Sequence, residues 1–185
     1  MAIRKLNSLP PSLVHEDGSE VRLVPLEKTG GKALYVSADG RCFSFYRRVL
    51  RLIKPQATNS AINRHNGRRK QKYLRVRSYG NILVHHAVAL VWVERLDTQL
   101  CHAGHMPGAG YVVDHLNGII SDNRVENLQW VTPEENHKRS VILRARRMIA
   151  QQDGRPELLP ENMKPAELLE LFSKYNVAGD VYEGD

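Results

Sequence analysis

The chain has 185 residues, with 27 Lys and Arg against 20 Asp and Glu and a formal net charge of +7. At roughly 100–200 residues per domain, that length suits one domain or a small domain with appendages. The two cysteines exclude a disulfide scaffold and a Cys-only zinc ribbon, and no apolar run approaches the roughly 20 residues that a bilayer crossing needs. In chain order, Met1 to Lys5 leads into polar residues and Pro10-Pro11 without the apolar stretch of a signal peptide, so a reducing, cytoplasmic setting with no membrane partner is expected. The first 19 residues read as a loosely ordered lead-in. Residues 21–26, 33–37 and 42–46 are short runs of β-formers, punctuated by Gly30-Gly31 and by Ala38-Asp39-Gly40. Residues 55–72 read as an exposed basic loop. Residues 73–77 alternate at period two, which predicts a strand with Leu74 and Val76 on one face and Tyr73, Arg75 and Arg77 on the other.

Residues 85–94 are apolar for too long to form a simple edge strand and predict a buried helix. A loop over 97–110 is followed by a strand at 111–113, a turn at Asn117-Gly118 and a strand at 128–131. Thr132, Pro133 and Glu135 then have the spacing of a capping box with proline at the first helical position, and Asp153-Gly154 marks the end of that helix near Gln152. Residues 165–175 predict a short amphipathic helix with Leu168, Leu171, Phe172 and Tyr175 on one side. The expected architecture is α+β: a basic, β-rich module over 1–80, a ββα core over 81–152 and an acidic helical tail over 153–185.

The charge is divided unevenly. Residues 150–185 hold three bases and eight acids, a net −5, which leaves +12 on residues 1–149. No acid occurs between Asp39 and Glu94, a stretch that contains Arg47, Arg48, Arg51, Lys54, Arg68, Arg69, Lys70, Lys72, Arg75 and Arg77. An uninterrupted block of one sign suits a polyphosphate surface, because each neutralised phosphate releases condensed counterions. Those residues, together with Arg139 and Arg144 of the long helix, are the expected contacts to double-stranded DNA. The plainer alternative is a solvated basic face, which would repel itself with nothing to offset the repulsion.

Within the strand–loop–strand–helix unit, Asp114 and His115 end the first strand, Asn127 precedes the second, and Asn136 lies in the first turn of the helix. An Asp oxygen and an Asn carbonyl oxygen are hard ligands that suit Mg²⁺ or Mn²⁺. A neighbouring His can take a proton from water. A base, a Lewis acid and a positioned phosphate are the minimum for hydrolysing a phosphodiester with one metal.

The run from Val113 through Gly118, and that from Asp122 through Asn136, resemble the HNH nuclease motif. More narrowly, they resemble the H-N-N form found in phage and intron-encoded HNH homing endonucleases. Tyr35-Val36-Ser37 with Gly40-Arg41 resembles the nuclease-associated module that often precedes the motif, and the likeness spans about residues 33 to 140. It implies that His115 is the general base, that Asp114 and Asn136 bind one divalent ion, and that Asn127 constrains the loop and orients the base. It also implies cleavage of DNA to 5′-phosphate and 3′-hydroxyl ends. Two departures stand out: His86 occupies a position where many relatives have Arg, and residues 101–110 lengthen the loop before the motif.

Taken singly, Asp114 would be read as a turn cap and Asn127 as a loop anchor; only the joint pattern carries chemistry. His137 points roughly 100° away from Asn136 around the helix, so it is read as a solvent-facing or phosphate-contacting residue. Cys101, His102 and His105 lack a paired Cys-x-x-Cys, so no zinc site is expected. Trp92 and Trp130 are read as core, and neither His85 nor His86 is assigned a catalytic role. The second class of function consistent with the sequence is a DNA-binding regulatory or packaging accessory protein with an inactive HNH unit. The sequence leaves open a monomer or a homodimer, and whether the acidic tail competes with DNA or only completes the core.

Overall fold

The structure, a computed structural model, describes residues 9–58, 72–94 and 110–175. The chain divides into two units, Met1–Arg95 with Ile120–Leu128, and Leu96–Ile119 with Gln129–Asp185. Among the described residues the fold is mixed α and β, with antiparallel sheets and three α-helices.

In the first unit, β1 (Ser12–Val14), β2 (Glu20–Leu23), β3 (Leu34–Ser37), β4 (Cys42–Tyr46) and β5 (Val49–Ile53) form a sheet in which each strand pairs with the next in sequence. All four pairings are antiparallel. Short turns suffice for this order, which is why Gly- and Asp-containing punctuation recurs along residues 17–40. Alternation places Val21, Tyr35 and Phe43 in one buried cluster, against which Leu13, Leu23, Phe45 and Leu50 pack. The Tyr35 hydroxyl donates to the Pro10 carbonyl at 2.7 Å, which ties residues expected to be a loose lead-in onto the sheet. β1 therefore corrects that expectation: Ser-Leu-Val is too short to announce a strand until β2 supplies its ladder. β5 was likewise not anticipated.

The β4–β5 connection is a two-residue hairpin closed by the Tyr46–Val49 pair. Its two residues, Arg47 and Arg48, have φ of 50° and 63°. For a residue with a Cβ, that left-handed conformation costs roughly 1–2 kcal/mol.

A second, three-stranded sheet joins β6 (Gln56–Ala57), β7 (Leu74–Val76) and β8 (Ile82–Leu83). In β7, Val76 is buried, Leu74 and Arg75 are half-buried, and the flanking Tyr73 and Arg77 are exposed. The turn into β8 needs glycine at position 80, where φ is 64° and a Cβ would lie 2.6 Å from the Lys28 carbonyl oxygen. Helix α1 (Val84–Trp92) follows β8 directly and buries Val84, His85, Ala87, Val88 and Ala89. Its last residue anchors it to the first sheet: Trp92 Nε1 donates to the Val36 carbonyl at 3.0 Å, and the Arg22 guanidinium stacks 3.8 Å over the Trp92 ring.

In the second unit, β9 (Val112–His115) pairs with β10 (Leu128–Val131), and the boundary between the units falls within β10 after Leu128. Helix α2 (Pro133–Gln152) begins with the expected capping box: Thr132 Oγ1 accepts from the Glu135 amide at 3.1 Å, and Glu135 Oε2 accepts from the Thr132 amide at 2.9 Å. It ends in a Schellman motif, in which the Arg155 amide donates to the Ala150 carbonyl at 2.9 Å and Gly154 takes φ of 62°. Helix α3 (Pro165–Tyr175) packs against α2 and buries Leu168 and Phe172 against Leu116 and Leu143. The acidic tail thus completes the core of this unit, at about 1.5–3 kcal/mol for each buried Leu or Phe.

Candidate active site

β9 ends in an unbroken buried run, Val113 to Asn117, of which three residues are polar. Asp114 and His115 are the last two residues of β9, and both are buried. The turn that follows is braced at three points. The Gly118 amide donates to the His115 carbonyl at 2.8 Å, and the Ile119 amide donates to Asn117 Oδ1 at 2.8 Å. From α2, an Arg147 guanidinium nitrogen donates to the Asn117 carbonyl at 2.9 Å. Glycine suits position 118, where φ is 70°; a Cβ would lie 2.8 Å from the movable end of Arg147 and would press on the guanidinium that braces the turn. Arg147 thus holds the backbone that carries His115.

The Asp114 side chain meets Arg139, one guanidinium nitrogen of which lies 3.5 Å from Oδ2, with both side chains about nine-tenths buried. Arg139 makes its close bond elsewhere, donating to Gln129 Oε1 at 2.8 Å, and its guanidinium lies 4.9 Å from the Phe172 ring centroid. Its Nε is buried and makes no hydrogen bond among the described residues. Burial pushes the Asp114 carboxyl above the usual carboxylate range, and the attraction of Arg139 offsets this only in part. A charge-assisted bond normally closes to 2.7–2.9 Å. The Asp114 carboxyl is therefore buried and only loosely paired with a cation.

Asn136 lies one turn before Arg139 in α2 and is half-buried. Residues three apart share a helix face, so Asn136 belongs to the face by which α2 reaches Asp114. Asp114, His115 and Asn136 accordingly belong to one unit. Asn127 belongs to the other unit, on a buried turn where its Nδ2 donates to the Asp122 carbonyl at 2.9 Å and its amide donates to the Arg124 carbonyl at 2.9 Å. His137 is exposed, as its position on the helix implies.

The basic residues separate into kinds that the sequence could not distinguish. Arg47, Arg48, Arg51, Lys54, Lys72, Arg77 and Arg144 are exposed, and Arg75 is half-buried. Arg139 corrects an expectation: it is 7% exposed and turned inward to Gln129 and Asp114, so it is not placed to touch a DNA backbone. Its spacing of three from Asn136 was the available signal. Arg68, Arg69 and Lys70 lie outside the described residues, as do Cys101, His102 and His105. Among the described residues, no three His, Cys, Asp or Glu side chains cluster as a metal cage.

Residues 100–138 match the family described as HNH endonuclease. A stretch of 58 residues, 31% of this chain, is 41% identical to "Uncharacterized HNH endonuclease L247" of Acanthamoeba polyphaga mimivirus. That stretch spans only 12% of the viral protein. A solved structure titled "DNA binding and cleavage by the HNH homing endonuclease I-HmuI" aligns with 77% of this chain and 62% of its own, at 20% identity and a TM-score of 0.33. A superposition that loose carries no structural argument.

Proposed function

We propose that this chain, which carries an HNH endonuclease segment at residues 100–138, is a DNA endonuclease of homing or phage type that hydrolyses phosphodiester bonds to 5′-phosphate and 3′-hydroxyl ends. The observation that carries the reading is the buried Asp114-His115 pair at the end of β9, within the matched segment and in one unit with the α2 face that bears Asn136. His115 accepts a proton from the water that attacks phosphorus. The bond from the water oxygen to phosphorus forms as the bond to the 3′-oxygen breaks, and the departing oxygen takes a proton from solvent. Asn127 keeps the turn over 122–127 closed through its bond to Asp122.

The loosely paired Asp114 carboxylate fits a hard divalent ion, Mg²⁺ or Mn²⁺. Asp114 and the Asn136 amide oxygen would hold one such ion, with water completing its shell. When bound, the ion supplies positive charge against the charge developing on the phosphate and on the departing oxygen. The exposed cations of the first unit (Arg47, Arg48, Arg51, Lys54, Lys72 and Arg77) and Arg144 of α2 would bind double-stranded DNA.

A nicking assay on supercoiled plasmid in Mg²⁺ tests this reading. His115→Ala should retain DNA binding and lose roughly 10²–10⁴ in cleavage rate, the range for removing a general base. Cleavage by His115→Ala at the wild-type rate would refute the assignment. Binding without any cleavage by the wild type would instead favour the accessory-protein reading.

A further inference from the structure

We infer that the β4–β5 hairpin is a base-reading ribbon, whose tip residues Arg47 and Arg48 enter the major groove of duplex DNA and pair with guanine. The inference rests on the proposed DNA endonuclease function and adds to it a part that recognises sequence, distinct from the parts that bind phosphate.

The first argument is conformational. A two-residue hairpin whose central residues both have positive φ is the type that strongly prefers Asn-Gly. Here both positions are arginine, at 50° and 63°, and the only other non-glycine residue with positive φ among the described residues is Asn81. Folding does not need arginine in this turn; Asn-Gly would close the same hairpin with less strain. A strained backbone retained at an exposed position points to what its side chains do.

The second argument is shape. β3 begins at Leu34, which pairs with Ser44, so the ladder from Phe45 to Leu50 continues past the end of β3. Beyond β3 the tip is a two-stranded ribbon, bordered near its base by residues 13–16, and such a ribbon is an element that the major groove admits. The third argument is chemical. Tyr46, Arg47, Arg48 and Val49 are all exposed, and although Glu16 lines the same cleft as Arg48, neither arginine forms an ion pair among the described residues. The Arg47 guanidinium lies 5.2 Å from the Tyr46 ring centroid, which restricts the positions it samples. A guanidinium presents two parallel N–H groups to the O6 and N7 of guanine, a pairing that lysine cannot copy. Arg51 and Lys54, further from the tip on the same strand and just beyond it, are left for phosphates.

The test uses the full chain carrying His115→Ala, with a pool of randomised 30-base-pair duplexes as the probe. The parent should enrich guanine-containing sequences from the pool. Arg47→Lys with Arg48→Lys keeps the charge, so its affinity for the unselected pool should change by less than about threefold, while its preference for the enriched sequence falls by roughly 10-fold or more. Replacing guanine by 7-deazaguanine in the enriched duplex should weaken the parent comparably and leave the lysine variant unaffected. Retained preference in the lysine variant, or indifference of the parent to 7-deazaguanine, overturns the inference while leaving the endonuclease reading standing. If the parent does not bind DNA and the wild type does not cut it, the endonuclease reading falls first.

A second measurement isolates the strain. Arg47→Asn with Arg48→Gly should melt several degrees higher than Arg47→Ala with Arg48→Ala, since both pairs remove the same charge and only the first relieves the turn. Equal melting temperatures would remove the conformational argument and, with it, the inference.

Discussion

Replacing Arg139 by methionine gives the sharpest test of how the site is assembled, because one buried guanidinium is bound to three different parts of its unit. The substitution removes the 2.8 Å bond to Gln129, where a hydrogen bond to a charged group contributes about 1.5–3 kcal/mol. It also leaves Asp114 buried without its cation; breaking a buried pair costs about 3–5 kcal/mol, and a 3.5 Å contact places this pair at or below the bottom of that range. Two effects act in the opposite direction: methionine packs against Phe172, and the orphaned Nε, a desolvated donor costing about 1–3 kcal/mol, disappears. The net expectation is a loss of about 2–4 kcal/mol. Urea unfolding in EDTA, followed at 222 nm, measures it, since α2 and α3 contribute 20 and 11 helical residues against 9 in α1. The decisive quantity is the double-mutant cycle with Asp114→Asn. If the pair is what Arg139 supports, the two substitutions should be non-additive by more than about 1 kcal/mol, with the double variant more stable than the sum implies. Additivity within about 0.3–0.5 kcal/mol would refute the pairing and leave Arg139 as a packing residue bound to Gln129 alone.

Other consequences of the structure can be measured directly. Phe172→Ala should destabilise the second unit by about 3–5 kcal/mol, and truncation after Gln152 should melt its helical signal, because Leu116 and Leu143 lose their cover. A truncated chain that keeps its helix content would show that α3 is dispensable. In a Cys101→Ser background, the Cys42 thiol, fully buried and pushed by burial up to about 12, should resist alkylation at pH 8 until the protein unfolds; rapid labelling of the native state would contradict its placement. Asp17 is held well below the usual carboxylate range by hydrogen bonds from Ser19 and Arg41. For Asp39, burial acts upward, but the Ser37 hydroxyl and Arg41 outweigh it and the net shift is downward. Depressed native values mean that the stability these groups contribute is present above about pH 4, the unfolded range, and is lost as pH falls further. Asp17→Asn with Asp39→Asn should therefore flatten the acid limb of the stability curve below pH 4, and an unchanged limb would show that the Arg41 network contributes nothing.

Much of the second unit could be read from local chemistry. Thr132, Pro133 and Glu135 specify the start of α2 within four residues of chain, and Gly154 specifies its end. The docking of α3 was visible in part, since Leu168 and Phe172 lie four apart on one face. The first unit was harder because β1 and β5 depend on their neighbours. Ser-Leu-Val and Val-Leu-Arg-Leu-Ile become strands through ladders with β2 and β4, and the hairpin joining β4 to β5 was obscured by two arginines where Asn-Gly would have announced a turn. The same residue type explains why the binding surface could only be read coarsely. Arg139 and Arg144 sit five apart on one helix, about 140° around its axis, which sends one inward to Asp114 and the other to solvent. Arg147, a further three residues along, returns to brace the turn after His115. Charge along the chain counts cations, but the helical period and the partners across 25 or 30 residues decide which of them remain to meet an anion. A block of one sign therefore identifies the class of partner, while the individual contacts emerge only once the folded chain has used some of its own cations internally.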